Sequence, residues 1–262
     1  LCLTTVFCFS ASIAQAQETV QYELQIKNAT QHTAQVIARF PASDKNNPII
    51  QIPNWRTGRY EILPLDNGMR QVTASTLDGA RLAIHKTDKA SWQIDLPAGK
   101  PYQISYELYA NELGLRTRHI DDSHAYLNAS AVFVYSPEFR ANPIEVKLNV
   151  PSAWESRSGL AAGNCKHCFK AANYDVLTDS PIETGVHQFY QAQVDGKQIE
   201  LAIWGEGNYN GEQMLKDYTA IVKTTNALFG SMPYNRYLFI VHATDGVGGA
   251  TEHINSTVIQ TD

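Results

Sequence analysis

From Thr19 to about Trp204, apolar and polar residues alternate along much of the chain. Val20, Tyr22, Leu24 and Ile26 alternate with polar neighbours, as do Tyr102, Ile104, Tyr106 and Leu108. The pattern recurs at Ile144, Val146, Leu148 and Val150 and at Ile199, Leu201 and Ile203. A period of two places successive side chains on opposite faces, so these runs predict half-buried strands. Turn residues separate them: Lys45-Asn46-Asn47-Pro48, Asp78-Gly79, Pro97-Ala98-Gly99-Lys100 and Asp195-Gly196-Lys197. Many short strands at modest spacing predict a mainly β N-terminal domain, an antiparallel sandwich or a saddle-like sheet. No internal repeat or low-complexity segment interrupts it.

After Gly207 the period changes. Asn210-Gly211-Glu212-Gln213 has the form of a capping box, and Met214, Leu215, Tyr218, Ile221, Val222, Thr225 and Leu228 follow at helical spacing. Gly230 is the expected stop, with Pro233 beyond it. The spacing predicts one amphipathic helix from about Gly211 to Phe229. A strand near Leu238, a glycine loop and a strand near Val258 come next. The chain therefore divides into a β-rich domain over 17–205 and the start of an α+β unit over 206–262. The second part is short for a core of its own. Its helix is expected to leave part of its apolar face uncovered.

The first residues read differently. Leu1 to Ile13 is apolar and uncharged, and Ala14-Gln15-Ala16 has the small-x-small form of a cleavage site. This predicts the remnant of a signal peptide over 1–16, a mature start at Gln17 and export, in a bacterium to the periplasm. A buried apolar strand is the alternative. No other stretch is long and apolar enough to span a bilayer as a helix. The 262 residues are 44% apolar and 18% charged, which allows a full core. A net charge of −5 without a basic patch argues against nucleic acid as a partner. Export also bears on the cysteines. Cys165 and Cys168 would remain after cleavage, in Gly163-Asn164-Cys165-Lys166-His167-Cys168. A zinc ribbon needs a second pair, so a tight local disulfide is expected.

Complete catalytic sets are absent from the sequence. It has no G-x-S-x-G elbow, no G-x-x-x-x-G-K-[ST] phosphate loop and no H-E-x-x-H. Gly246-Val247-Gly248 begins like a dinucleotide fingerprint, but Thr251 replaces the last glycine and Glu252 would repel a phosphate. The densest histidine cluster is His119-Ile120-Asp121-Asp122-Ser123-His124. On a strand, residues five apart face opposite sides, so a structural or surface role is expected ahead of metal binding. Asp245-Gly246-Val247-Gly248-Gly249-Ala250-Thr251-Glu252-His253 remains. By spacing it reads as a tight β connection with a solvated Glu252. The same residues have the chemistry of an amine receptor: peptide N-termini are mostly charged at neutral pH, and a fixed carboxylate beside a strand edge can hold one.

Gly249-Ala250-Thr251-Glu252-His253 resembles the G-A-M-E-N exopeptidase motif of zinc aminopeptidases. It is closer to the G-G-x-E-H version of the PDZ-containing glycyl aminopeptidase family of bacteria. Pro53-Asn54-Trp55-Arg56-Thr57-Gly58-Arg59-Tyr60 resembles that family's P-x-W-x-P-G-x-Y signature. Asn173-Tyr174-Asp175-Val176-Leu177-Thr178-Asp179-Ser180-Pro181-Ile182-Glu183-Thr184-Gly185 resembles its N-Y-D-x-L-x-D-S-P-I-E-x-G segment. Two departures stand out: Thr57 in place of the usual Pro, and the Cys165/Cys168 pair.

The resemblance implies a β-rich N-terminal domain, a thermolysin-like zinc catalytic domain and a PDZ domain. It implies a peptide substrate, with the N-terminal residue removed and small residues such as glycine possible in that position. Zinc ligands are then expected beyond Asp262, so the fragment itself would bind no catalytic zinc and be inactive. Glu252 would bind the free amine, Gly248, Gly249 and Ala250 would line the cleft, and His253 belongs to the motif without an assigned role. The rival reading is a non-catalytic β-sandwich of the cell envelope that docks peptides or proteins through Trp55, Tyr60 and Trp204. Core packing is the plainer account of each of those aromatics.

Overall fold

The computed structural model describes residues 18–55 and 61–262. The expected signal peptide, Thr57 and Tyr60 lie outside the described residues. Three of the alternating runs form the core of an eight-stranded sheet, whereas the fourth, at Ile199, Leu201 and Ile203, belongs to another sheet and is buried on both faces instead of half-buried. Its order is Ala161–Ala162, Cys168–Ala171, Ile144–Asn149, Val20–Asn28, Thr33–Ser43, Lys100–Tyr109, Met69–Ser75 and Arg81–Leu82. Val20, Tyr22, Leu24 and Ile26 point inward and are buried, as are Tyr102, Ile104, Tyr106 and Leu108. The sheet is mixed, because Val20–Asn28 runs parallel to Ile144–Asn149 while its other neighbour is antiparallel.

Two smaller sheets complete this part. One has the order Ile49–Gln51, Ser91–Ile94, Ile84–Asp88. The other, called here the junction sheet, has the order Glu155–Ser158, Ile182–Gly185, His124–Leu127, Arg118–Ile120, Asn111–Glu112. Three tyrosines of the core have paired hydroxyls: Tyr22 donates to the Val134 carbonyl, Tyr106 to Val132 and Tyr174 to Phe133. A buried hydroxyl without such a partner costs about 1–3 kcal/mol, so these bonds let large rings fill the interior. Cys165 and Cys168 form the expected disulfide, across the turn of the hairpin that pairs Ala161–Ala162 with Cys168–Ala171.

A third five-stranded sheet has the order Gln188–Val194, Lys197–Gly205, Arg236–Ala243, Ser256–Thr261, Gly249–Glu252. Its three middle strands are parallel, and both of their faces are covered. Leu201, Ile203 and Val241 pack against Met214, Leu215 and Tyr218 of the long helix. Ala202, Leu238, Ile240 and Val258 pack on the opposite side with Tyr126 of the junction sheet. The expected division between residues 205 and 206 falls between the strand Lys197–Gly205 and this helix. Gln188–Val194 and Lys197–Gly205 share their sheet with Arg236–Ala243 rather than with the earlier strands.

The helix runs Gly211–Phe229, with Asn210 accepting from the Gln213 amide and Gly230 closing it in the left-handed region at φ 81°. The capping box is one-sided, since the Gln213 side chain turns forward to Asp217 instead of back to Asn210. Ile221, Leu228 and Phe229 of this helix are exposed.

Candidate functional site

Gly249–Glu252 is a strand, where the sequence predicts a loop between strands. Glycine has little intrinsic strand preference, and what fixes the conformation is pairing with Ser256–Thr261. The register sets Glu252 opposite Thr257. The strand ends the order of its sheet, so its outer edge is free among the described residues. Gly249 sits at φ 109°, a conformation rare for any other residue, and a Cβ there would lie 3.3 Å from the Leu115 methyl. At Gly248 a Cβ would meet open space. Ala250 is exposed, Thr251 is buried, and Glu252 is exposed again. Alternation thus puts Ala250 and Glu252 on one face of the edge strand.

The bend after Glu252 is braced from the other part of the molecule. The His253 Nδ1–H donates to Asp179 Oδ1 at 3.0 Å, and the Ile254 amide donates to Asp179 Oδ2 at 3.0 Å. His253 is therefore a buried positioning group, a role the sequence leaves unassigned. Asp179 follows the short helix Tyr174–Thr178, whose N-cap Asn173 accepts from the Val176 amide. The two sequence segments that resemble one family thus meet in space. The Tyr237 hydroxyl is pushed up to about 12, first by burial and then by the charges of Tyr234, Glu252 and Asp179, so both carboxylates act on the same spot. Glu252 and His253 belong to no group of convergent metal donors among the described residues.

Asp179 also lines a cleft of about 620 Å³ with Trp55, Tyr135, Arg140, Tyr174 and Asp175. Arg140 is committed to Asp175 at 2.6 Å. Trp55 is 49% exposed, so core packing does not account for it. Trp204 instead stacks on His124, ring centroids 3.4 Å apart, and donates from Nε1 to Ser123 Oγ. Replacing Asp179 by Ala removes both acceptors from the bend. The expected cost is about 1–3 kcal/mol, felt locally. Hydrogen exchange should show faster amides over residues 249–256 with little change in the eight-stranded sheet.

A further polar cluster escaped sequence reasoning. Glu183 is fully buried and accepts from His124 Nδ1 at 2.8 Å through one oxygen and from His242 Nε2 at 2.9 Å through the other. Burial alone would raise this carboxyl, but His124 and then His242 outweigh it and hold it at about 2. His242 Nδ1 in turn accepts from Gln260 Nε2 at 3.2 Å. The cluster ties the junction sheet to the third sheet, and no sequence spacing could place its members together.

The fold has known counterparts. An aminopeptidase N family protein from Idiomarina loihiensis is similar with a TM-score of 0.87 at 22% identity, over 92% of this chain and 42% of that one. An M1 zinc metallopeptidase from Deinococcus radiodurans is similar with a TM-score of 0.53 at 11% identity, over 94% of this chain and 60% of that one. Legionella pneumophila aminopeptidase A, in complex with aspartic acid, is similar with a TM-score of 0.56 at 14% identity, over 93% of this chain and 30% of that one. The chain thus spans less than two thirds of the length of each. At these identities the likeness is one of fold. No curated protein sequence matches the chain. Residues 21–186 match the Peptidase M61 N-terminal domain, and the match ends just before the strand Gln188–Val194 opens the third sheet. Matched over more than half of its length, the chain belongs to the Peptidase M61 N-terminal domain family.

Proposed function

We propose that this chain is the N-terminal part of an exported zinc metallo-aminopeptidase, of the PDZ-containing glycyl type, that removes the first residue of short peptides. In this reading the catalytic portion begins with the strand Gln188–Val194, and the zinc ligands lie beyond Asp262. The chain by itself hydrolyses nothing.

One observation carries the reading: an exposed carboxylate without an ion pair among the described residues, Glu252, stands at the end of a sheet edge that is free among those residues. A peptide laid antiparallel or parallel along Gly249–Glu252 gains main-chain hydrogen bonds. Gly248 and Gly249 let its backbone come close. The substrate ammonium, with a pKa of about 8, meets Glu252 as a charge-assisted hydrogen bond. That pairing counts residues from the amino end and so selects exopeptidase cleavage. A peptide substrate is in keeping with a structural neighbour, the Deinococcus radiodurans M1 zinc metallopeptidase E323A mutant, which is bound to a Tyr-Ser-Ala substrate. Zinc, when bound by the complete enzyme, would supply an activated water.

The test is an assay of the complete gene product on short peptides beginning with glycine and other small residues. Chelator-sensitive release of the first residue, with N-acetylated peptides spared, is the expected result. Cleavage of N-acetylated peptides, or no hydrolysis at all, contradicts the reading.

A further inference from the structure

We propose that His119, Asp121 and His124 form a binding site for a divalent first-row transition-metal ion such as Zn²⁺. The inference is independent of the peptide-binding reading. The turn between Arg118–Ile120 and His124–Leu127 folds the chain back on itself, because Ile120 pairs with Ala125. Residues 119 and 124, which would diverge along one straight strand, are brought together with imidazole centroids 5.2 Å apart. One donor atom from each of His119, Asp121 and His124 lies within 4.8 Å of the others.

The arrangement around these donors is that of a supported metal site. His124 is fully buried, and its Nδ1–H is given to Glu183 at 2.8 Å. Glu183 only accepts, so Nδ1 of His124 carries a proton, and in the neutral imidazole the ligand lone pair is on Nε2. That Nε2 has no hydrogen-bond partner among the described residues. An imidazole that donates one nitrogen to a carboxylate and presents the other is the usual form of a metal-ligating histidine. Asp121 is fixed in the same way. Its Oδ1 accepts from the Ser123 amide at 2.8 Å, the Ser123 hydroxyl at 2.8 Å and the His124 amide at 2.9 Å. Its Oδ2 faces His119 Nε2 at 3.1 Å, close to the spacing of about 3.4 Å between adjacent ligands of a tetrahedral ion.

An ion pair between His119 and Asp121 alone would leave the buried His124 nitrogen stranded. A cation accounts for all three donors and offsets the charges of Asp121 and Glu183. His119 and Asp121 are 13% and 25% exposed, which gives an ion an entry path and leaves a fourth position for solvent. Two nitrogens and one carboxylate oxygen suit Zn²⁺, Co²⁺ or Cu²⁺ rather than Ca²⁺ or Mg²⁺. In the neighbouring group of His124, Glu183 and His242, the facing nitrogens already donate to the carboxylate, so that group is the support and not the site.

The test is calorimetric titration of untagged, chelator-treated protein with Zn²⁺, beside His119→Ala and Asp121→Asn. Both altered side chains are partly exposed, and circular dichroism checks that the variants fold. The expected result is one saturable Zn²⁺ per chain, weakened at least tenfold by either substitution. Co²⁺ should also quench the fluorescence of Trp204, which stacks on His124, and Trp204→Phe should abolish that quench while keeping the binding. Absence of saturable binding, or equal affinity in wild type and folded His119→Ala, overturns the proposal.

Discussion

Glu183→Ala should destabilise the chain by about 3–5 kcal/mol, the range for removing one partner of a buried charged cluster. The carboxylate serves two imidazoles from different strands, and neither can reach water: His124 and His242 are both fully buried. Its loss strands both N–H groups at the seam between the junction sheet and the third sheet. Total stabilities of domains are about 5–15 kcal/mol, so the effect is a large fraction of the whole. Urea denaturation of wild type and variant measures it directly. Glu183→Gln keeps the shape and one acceptor, and its loss should be smaller. The same group sets an acid limb. Its pKa falls from the usual carboxyl value of 4.5 to about 2 in the fold. A depressed carboxyl stabilises the fold above its unfolded pKa, and that contribution disappears as pH falls through the folded value. Stability measured in chelator-treated protein should therefore decline between about pH 4.5 and pH 2, and the decline should be shallower in Glu183→Gln.

Under the proposed function, Glu252→Ala in the complete protein should lower kcat/KM for unblocked peptides by a factor equivalent to about 2–5 kcal/mol, because the substrate ammonium would be left without its partner. The fold should not suffer, since Glu252 is exposed and its edge strand is held by Ser256–Thr261 and by Asp179. Wild-type melting with lost activity is thus the expected pair of results. Unchanged kinetics would show that this carboxylate does not meet the amine.

Much of the fold was legible from the sequence because its signals are local. The alternation at Val20 to Ile26 and at Tyr102 to Leu108 gave strands with those residues buried. Asn210 and Gly230 bound the helix where expected, as one is an N-cap and the other tolerates positive φ. The cysteine spacing pointed to the disulfide. Pairing between distant segments was not legible. Nothing local reveals that Val20–Asn28 lies parallel to Ile144–Asn149, or that Lys197–Gly205 pairs with Arg236–Ala243. The site divides along the same line. Glu252 and the glycines could be singled out by their chemistry, but the edge strand, the Asp179 brace and the Glu183 cluster depend on tertiary contacts. His119 and His124 mislead for the same reason, since spacing along one strand cannot register a turn between them.

The most direct test is a nuclear magnetic resonance titration of this chain with a glycyl tripeptide and with its N-acetylated form. The account predicts saturable amide shifts over residues 249–254 with the free amine only, absent in Glu252→Gln. Equal shifts with both peptides, or shifts that persist in Glu252→Gln, would contradict it.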